Sequence, residues 1–175
     1  SVVLNSRYIL DIVRKINSDD IEIEIIDGLL TRIKGSQIEF NLNGTDAIEY
    51  PRIDLSKTGT HFMMNALVLK DIIGETKFAA SDKETRTILT GINFKAHDHV
   101  LEVVATDSYR LAKKIISIDE DVTFNITIPK LSLDEISKII EKDELIELYV
   151  SERKVLFVFD KNIIQTRLID GSYPD

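Results

Sequence analysis

The sequence predicts an α+β fold in which one repeat, strand-helix-strand-strand-strand, occurs three times. The first observation is the order of the patterns, because each of three helical stripes of apolar residues precedes three strand-like segments. The second is an internal similarity, since the helical stripe of residues 9–16 recurs 124 positions later at residues 133–140. Both copies end in Tyr-Pro, at residues 50–51 and 173–174. These observations indicate a duplicated architecture.

The first repeat visible in the chain opens with a helix over residues 6–16. Ile9, Ile12, Val13 and Ile16 lie at positions i, i+3, i+4 and i+7, which places them in one apolar stripe. The strictly alternating Ile-Glu pattern that follows is typical of a half-buried strand. The strands predicted for this repeat are residues 21–25, 29–34 and 37–42.

The second and third repeats show the same order of elements. A helix is expected near residues 65–77 and another near 132–142, where Leu133, Ile136 and Ile140 form the stripe. The strands predicted around these helices are residues 62–64, 87–95, 99–105, 111–118, 124–129, 144–150, 154–160 and 162–169. Each helix is therefore expected between one leading strand and three following strands.

Two repeats make one domain of about 124 residues on this count. Residues 52–175 then form a complete domain, and residues 1–51 form the second half of a preceding one. A half domain lacks neighbouring strands, so we expect exposed sheet edges in residues 1–51. We also expect the natural protein to extend further at its N-terminus.

The composition excludes several classes of protein. The 175 residues include no cysteine, so disulfides, thiolate zinc sites and cysteine nucleophiles are excluded. No apolar run reaches the roughly 18 residues that a membrane-spanning helix needs. The net charge of −8 disfavours a nucleic-acid binder. The three predicted helices nevertheless carry more basic than acidic groups, which fits either a solvated surface of mixed sign or contact with phosphates.

Three short motifs resemble parts of metal, phosphate-binding or catalytic sites, and none of them meets the requirements of such a site. His97-Asp98-His99 lies in a predicted turn, where neighbouring side chains diverge, so a metal site is not expected. Residues 74–77 lack the preceding glycine that a phosphate-binding loop requires. Thr106, Asp107 and Ser108 have no accompanying base and no nucleophile elbow. We therefore expect no catalytic residue, no metal and no cofactor.

The segment Val104–Ala112 combines a turn with residues suited to binding. Its polar break, Thr-Asp-Ser, interrupts two strand patterns and is typical of a turn, because these side chains bond to nearby backbone. Three residues suited to binding follow the break directly. Tyr109 offers apolar area, Arg110 offers a planar hydrogen-bond donor and Leu111 offers an apolar anchor at the same surface position. This mixture favours a docking pocket over a core.

The segment Val104–Ala112 closely resembles the hallmark of the bacterial DNA sliding clamp, the beta subunit of DNA polymerase III. Residues 86–91, 128–130 and 168–175 are similar to further segments of that family. The resemblance covers the whole chain, with residues 1–51 similar to the second half of clamp domain 1 and 52–175 similar to domain 2, while domain 3 is absent.

The resemblance implies a DNA-clamp fold with helices on one side and antiparallel sheets on the other. It implies a cytoplasmic head-to-tail homodimer that encircles double-stranded DNA as a processivity factor and catalyses nothing. The implied partners are the DNA polymerase III alpha subunit, the clamp loader and other proteins with a clamp-binding motif, and no membrane. A non-enzymatic β-rich interaction module without a DNA role is the alternative.

The resemblance also implies the binding residues. The share of the partner-peptide pocket in this chain would be Leu89, Thr106, Ser108, Tyr109, Arg110, Leu111 and Pro174. The DNA-facing residues, which combine the helix-borne basic groups with two positions carried over from the family, would be Arg7, Arg14, Lys70, Lys77, Arg86, Lys130, Lys138 and Lys142. Thr87, Ile88, Thr90 and Ser172 depart from the usual family pattern.

Overall fold

A computed structural model describes residues 1–174 of the chain, which forms two compact lobes. The N-terminal lobe is Ser1–Asp54 and the C-terminal lobe is Leu55–Asp175. Among the described residues, no helix has both the length and the apolar composition needed to cross a membrane.

The N-terminal lobe contains one helix and two small sheets. Asn5 caps the helix, because its side-chain oxygen accepts hydrogen bonds from the backbone N–H groups of Arg7 and Tyr8 at 3.0 and 3.4 Å. The elements are β1 (Val2–Val3), α1 (Ser6–Lys15), β2 (Glu22–Asp27), β3 (Leu30–Lys34), β4 (Glu39–Asn43), β5 (Thr45–Asp46) and a 3-10 turn (Ala47–Glu49). Strands β2, β3 and β4 form an antiparallel sheet in that order, and β1 pairs with β5.

This lobe buries few of its apolar side chains. Ile16 and Ile33 are buried, whereas α1 contains no buried residue and every residue of β2 is exposed. Strand β2 is an edge strand, and the side chain of Ile23 is 56% exposed there. The exposed edge expected for residues 1–51 is therefore observed at β2.

The C-terminal lobe contains two complete repeats. Its first repeat is β6 (Thr60–Asn65), α2 (Ala66–Thr76), two 3-10 segments (Lys77–Ala79 and Glu84–Thr90), β7 (Gly91–His97), β8 (Val100–Thr106) and β9 (Leu111–Ser117). Its second repeat is β10 (Phe124–Pro129), α3 (Lys130–Ile139), β11 (Leu145–Val150), β12 (Lys154–Phe159) and β13 (Asn162–Arg167). The predicted order of elements is confirmed.

The two repeats complete each other's sheets. Strand β6 leads the first repeat but pairs with β11 of the second, in the order β13-β12-β11-β6. Strand β10 leads the second repeat but pairs with β7 of the first, in the order β10-β7-β8-β9. All these pairings are antiparallel. The two repeats are therefore interlocked, because neither sheet is complete without the leading strand of the other repeat.

Both helices of the C-terminal lobe lie on the same side and pack against each other as well as against the sheets. Leu69 and Ile73 of α2 and Leu133 and Ile136 of α3 are fully buried in one cluster with the inner faces of both sheets. The largest buried side chains of this cluster are phenylalanines, at positions 62, 94 and 157. The α+β architecture with helices on one side and antiparallel sheets on the other is confirmed.

The strand predicted over residues 87–95 is wrong in its first half. Residues Glu84–Thr90 form a 3-10 segment, and the strand begins only at Gly91. The hydroxyl of Thr90 donates to the carbonyl of Thr87 at 2.7 Å, and the hydroxyl of Thr87 donates to the carbonyl of Glu84 at 3.4 Å. Such local bonds compete with a strand ladder, which accounts for the difference.

The third helix is displaced relative to its predicted range of 132–142. It begins at Lys130, directly after Pro129, and ends at Ile139, because Ile140 has extended backbone angles. Lys142 consequently lies beyond the helix that was expected to carry it.

Candidate peptide-binding site

The turn between β8 and β9 is held by a compact set of hydrogen bonds. Thr106 and Leu111 are cross-strand partners, and the four residues between them form the turn. The hydroxyl of Thr106 donates to the carbonyl of Arg110 at 2.7 Å and accepts the backbone N–H of Ser108 at 3.1 Å. Ser108 has a φ of +78°, a left-handed conformation that closes the turn. The turn predicted from the polar break is confirmed.

Asp107 is the second organiser of this turn. Its carboxylate accepts the backbone N–H groups of Tyr109 and Arg110, both at 3.0 Å, and the Nε–H of Arg110 at 2.9 Å. The two backbone hydrogen bonds, with the nearby guanidinium, hold the pKa of the Asp107 carboxyl below its usual value. The carboxylate therefore acts as a structural anion that fixes the backbone of the turn.

The predicted pocket residues divide into buried and exposed groups. Leu89 and Thr106 are buried, with 3% and 8% of their surface exposed. Tyr109 is 98% exposed in the turn, and Leu111 is 61% exposed as the first residue of β9. Hydrogen bonds within the turn and the strand pairing hold the backbone at these positions. An exposed leucine on a rigid support is available to a partner at little cost in conformational entropy.

The C-terminal segment brings Pro174 to the same place. The hydroxyl of Tyr173 accepts the backbone N–H of Thr106 at 3.0 Å and donates to the carbonyl of Gly91 at 3.3 Å. Burial raises the pKa of the Tyr173 hydroxyl, so the hydroxyl stays protonated and can donate its hydrogen bond. Pro174 and Leu111 then line one end of a groove of about 280 Å³.

Sequence reasoning missed the role of Tyr173. It used Tyr-Pro only as the marker that closes each copy of the repeat, at residues 50–51 and 173–174. The recurrence of a tyrosine directly before the predicted pocket proline was the available signal.

Arg86 lies at the turn. Its Nη1 donates to the hydroxyl of Ser108 at 3.2 Å, which links the 3-10 segment before β7 to the β8–β9 turn. The structure thus groups this predicted DNA-facing residue with the predicted pocket residues.

The basic groups predicted for the two helices of the C-terminal lobe are mostly engaged within the lobe, and Lys77 lies in the 3-10 segment directly after α2. Lys77 and Lys138 both pair with Asp134, and Lys138 also pairs with Glu135 at 2.7 Å. The hydrogen bond from Lys77, followed by that from Lys138, lowers the pKa of the Asp134 carboxyl. The Lys70 ammonium donates to the carbonyl of Ile140 at 2.7 Å. This helical surface therefore carries paired charges of both signs.

The remaining predicted DNA-facing residues have different surroundings. Lys130 pairs with Asp82 at the start of α3. Lys142 is exposed beyond the end of that helix. Arg7 and Arg14 are exposed on α1 of the N-terminal lobe.

The histidines of residues 97–99 are engaged in local contacts. Nδ1 of His97 lies 3.2 Å from a carboxylate oxygen of Asp98, and Nδ1 of His99 lies 3.1 Å from the carbonyl oxygen of Asp119. Within residues 1–174, no three His, Asp or Glu side chains are grouped so that they could hold a metal ion.

Two repeats that exchange leading strands, with helices on one side and antiparallel sheets on the other, define the DNA-clamp class of proteins. The chain belongs to the DNA polymerase III beta-subunit family, because residues 63–175 match the model of its central domain.

Curated relatives agree with this membership. The chain is 40% identical to the beta sliding clamp of Halalkalibacterium halodurans over 99% of its length. It is 42% identical to the beta sliding clamp of Bacillus subtilis over 100% of its length. The matched part is 47% of either relative, so the chain spans about half the length of these proteins.

Solved structures show the same fold. The DNA polymerase sliding clamp of Bacillus subtilis has a TM-score of 0.88 at 40% identity, covering 99% of this chain and 47% of that one. The sliding clamp of Bartonella birtlesii, solved bound to griselimycin, has a TM-score of 0.86 at 31% identity, covering 99% of this chain and 49% of that one.

Proposed function

We propose that the chain is part of a ring-forming sliding clamp, the non-catalytic processivity factor of a bacterial replicative DNA polymerase. In this proposal residues 1–51 are the second half of clamp domain 1, residues 52–175 are domain 2, and domain 3 lies outside the chain. The relatives of the chain carry the name beta sliding clamp, which supports this assignment. The full protein would be a cytoplasmic homodimer around double-stranded DNA.

The observation that carries the proposal is the exposure of Leu111 directly after the hydrogen-bonded turn, in a groove that Pro174 also lines. Leu111 and Pro174 would form the apolar wall that receives a side chain of a partner peptide, and Arg110 would contribute polar contacts at the rim. The sliding clamp of Bartonella birtlesii is solved bound to griselimycin, which supports the presence of a ligand-binding site on a clamp of this family. The partners would be the polymerase III alpha subunit, the clamp loader and other proteins with the same linear motif.

The DNA-facing role would belong to the helices. In the C-terminal lobe α2 and α3 share one side, as a surface facing the duplex requires. Because Lys77 and Lys138 are already paired with acids, their attraction to phosphates is reduced. Weak, sequence-independent contact of this kind would suit a ring that slides.

Replacing Leu111 with alanine is expected to weaken peptide binding by about 1 kcal/mol or more, because an apolar anchor at the centre of a contact dominates its affinity. A fluorescently labelled peptide from the clamp-binding segment of a polymerase III alpha subunit is titrated against the chain, with anisotropy as the readout. Leu145→Ala is the matched control, since Leu145 is 63% exposed on a different sheet. An unchanged affinity for Leu111→Ala, or an equal loss in both variants, contradicts the pocket.

A further inference from the structure

The groove beside Leu111 continues along the outer face of the β10-β7-β8-β9 sheet. The register places Val104 opposite both Lys113 and Asn93, one row beyond the pair Thr106 and Leu111. The next row on this face contains Lys95 and Glu102. Successive rows on one face are two residues, or about 7 Å, apart. The groove of about 280 Å³ therefore runs from an apolar end to a charged end.

At the charged end, Lys95 forms no ion pair with the described residues, although it lies opposite Glu102. Glu102 is paired with Lys113 at 2.7 Å, and His97 lies 3.7 Å from the same carboxylate group. The hydrogen bond from Lys113 lowers the pKa of the Glu102 carboxyl, so the pair remains ionised. Lys95 is exposed and makes no ion pair within residues 1–174. The groove thus has a local positive excess on a chain whose net charge is −8.

Asn93 provides a fixed polar group between the two ends. Only 7% of its surface is exposed, and its Nδ2 donates to the side chain of Asn125 at 2.8 Å and to two further acceptors at 3.2 Å. All three bonds use the amide nitrogen. Within the described residues the Oδ1 atom accepts no hydrogen bond, which leaves an acceptor at the groove for the backbone N–H of an extended peptide.

We infer that this groove selects partner peptides that carry an acidic side chain two to four residues from their apolar anchor, with Lys95 as the specificity-determining contact. The inference rests on the proposed peptide-binding function. Two residues of an extended peptide span about the distance between successive rows of the sheet face. If the apolar anchor of the peptide lies at Leu111, the side chain two residues away lies at the row of Val104 and the side chain four residues away lies at the row of Lys95. A carboxylate there meets Lys95, which makes no ion pair within the described part of the chain and whose cross-strand neighbour Glu102 is already bonded to Lys113.

Four peptides test the inference against the ¹⁵N-labelled chain, with dissociation constants taken from amide chemical shifts. Each has one leucine as its apolar anchor. Two glutamates or two glutamines are placed two and four residues from this anchor, on its N-terminal or its C-terminal side. One glutamate peptide is expected to bind about two- to fivefold more tightly than its glutamine counterpart at low salt. The preference should diminish at 1 M salt, because exposed charges are screened there.

The variant Lys95→Gln is expected to reduce the affinity of the favoured glutamate peptide to that of its glutamine counterpart, which abolishes the preference. Lys161→Gln, in the β12–β13 turn, is the matched control and should leave the preference intact. Equal binding of the glutamate and glutamine peptides, or a preference that survives Lys95→Gln, overturns the inference. If Leu111→Ala weakens none of the four peptides, or if none of them binds, the proposed peptide-binding function fails as well.

Discussion

Replacing Phe62 with alanine is expected to destabilise the C-terminal lobe by about 3–5 kcal/mol. Phe62 is 1% exposed in β6, the strand that the first repeat contributes to the sheet of the second. Its ring lies 5.3 Å from that of Phe124 in β10, the strand exchanged in the other direction. The substitution therefore removes packing at the position where both exchanged strands meet.

The same variant tests the interlocking of the repeats. Strands β6 and β10 each complete the sheet of the other repeat. We therefore expect both repeats of the C-terminal lobe to unfold in a single transition as the urea concentration rises. Circular dichroism measures this transition. Met63→Ala is the control on the neighbouring position, where the side chain is 42% exposed, and should change the free energy of unfolding only slightly. Two separate transitions for the two repeats, or a loss below 1 kcal/mol for Phe62→Ala, would be inconsistent with this architecture.

Gly91→Ala is expected to reduce the free energy of unfolding by about 1–3 kcal/mol. A Cβ atom at Gly91 would lie 2.4 Å from Cγ2 of Thr127, 2.9 Å from Cδ1 of Ile169 and 3.0 Å from the carbonyl oxygen of Ile128. Thr127 is buried and β-branched, so it has little freedom to move away. Because the carbonyl of Gly91 also accepts the hydroxyl of Tyr173, the shift should disturb the support of Pro174.

Gly74→Ala is the matched control for this substitution. Gly74 lies inside α2, and a Cβ there meets nothing within 4 Å. Alanine should therefore stabilise the lobe by about 0.5–1 kcal/mol, through its higher helix propensity. Urea titration of both variants measures the two changes. A neutral or stabilising Gly91→Ala would refute the close packing of β7 against β10 and the C-terminal segment.

Much of the fold could be predicted because its signals are local. Sequence periodicity shows which side of an element is apolar, as in the spacing of Ile9, Ile12 and Ile16 and the alternation of residues 21–25. The internal repeat shows in which order the elements recur. The exchange of β6 and β10 could not be predicted, because periodicity identifies the apolar face of a strand and not its neighbour. Register and partner are properties of the assembled sheet.

The turn between β8 and β9 could be predicted from the sequence, whereas the contacts that support it could not. Thr106, Asp107 and Ser108 form turns through bonds within a few residues, so their types alone indicate the geometry. Tyr173 reaches Thr106 across 67 positions of the sequence, and Lys77 reaches Asp134 across 57. Contacts over such separations leave no periodic signal, so the support of Pro174 and the pairing of the helix lysines became visible only in three dimensions.

The proposed peptide site at Leu111 is tested most directly by a residue-resolved titration of the ¹⁵N-labelled chain with the polymerase-derived peptide. We expect the largest amide shifts at the β8–β9 turn, residues 104–112, and at residues 170–173, with Leu111→Ala suppressing both sets. The β2–β4 sheet of the N-terminal lobe should remain unshifted. Shifts confined to residues outside these two segments, or identical shifts in the wild type and Leu111→Ala, would contradict a partner-binding site at this turn.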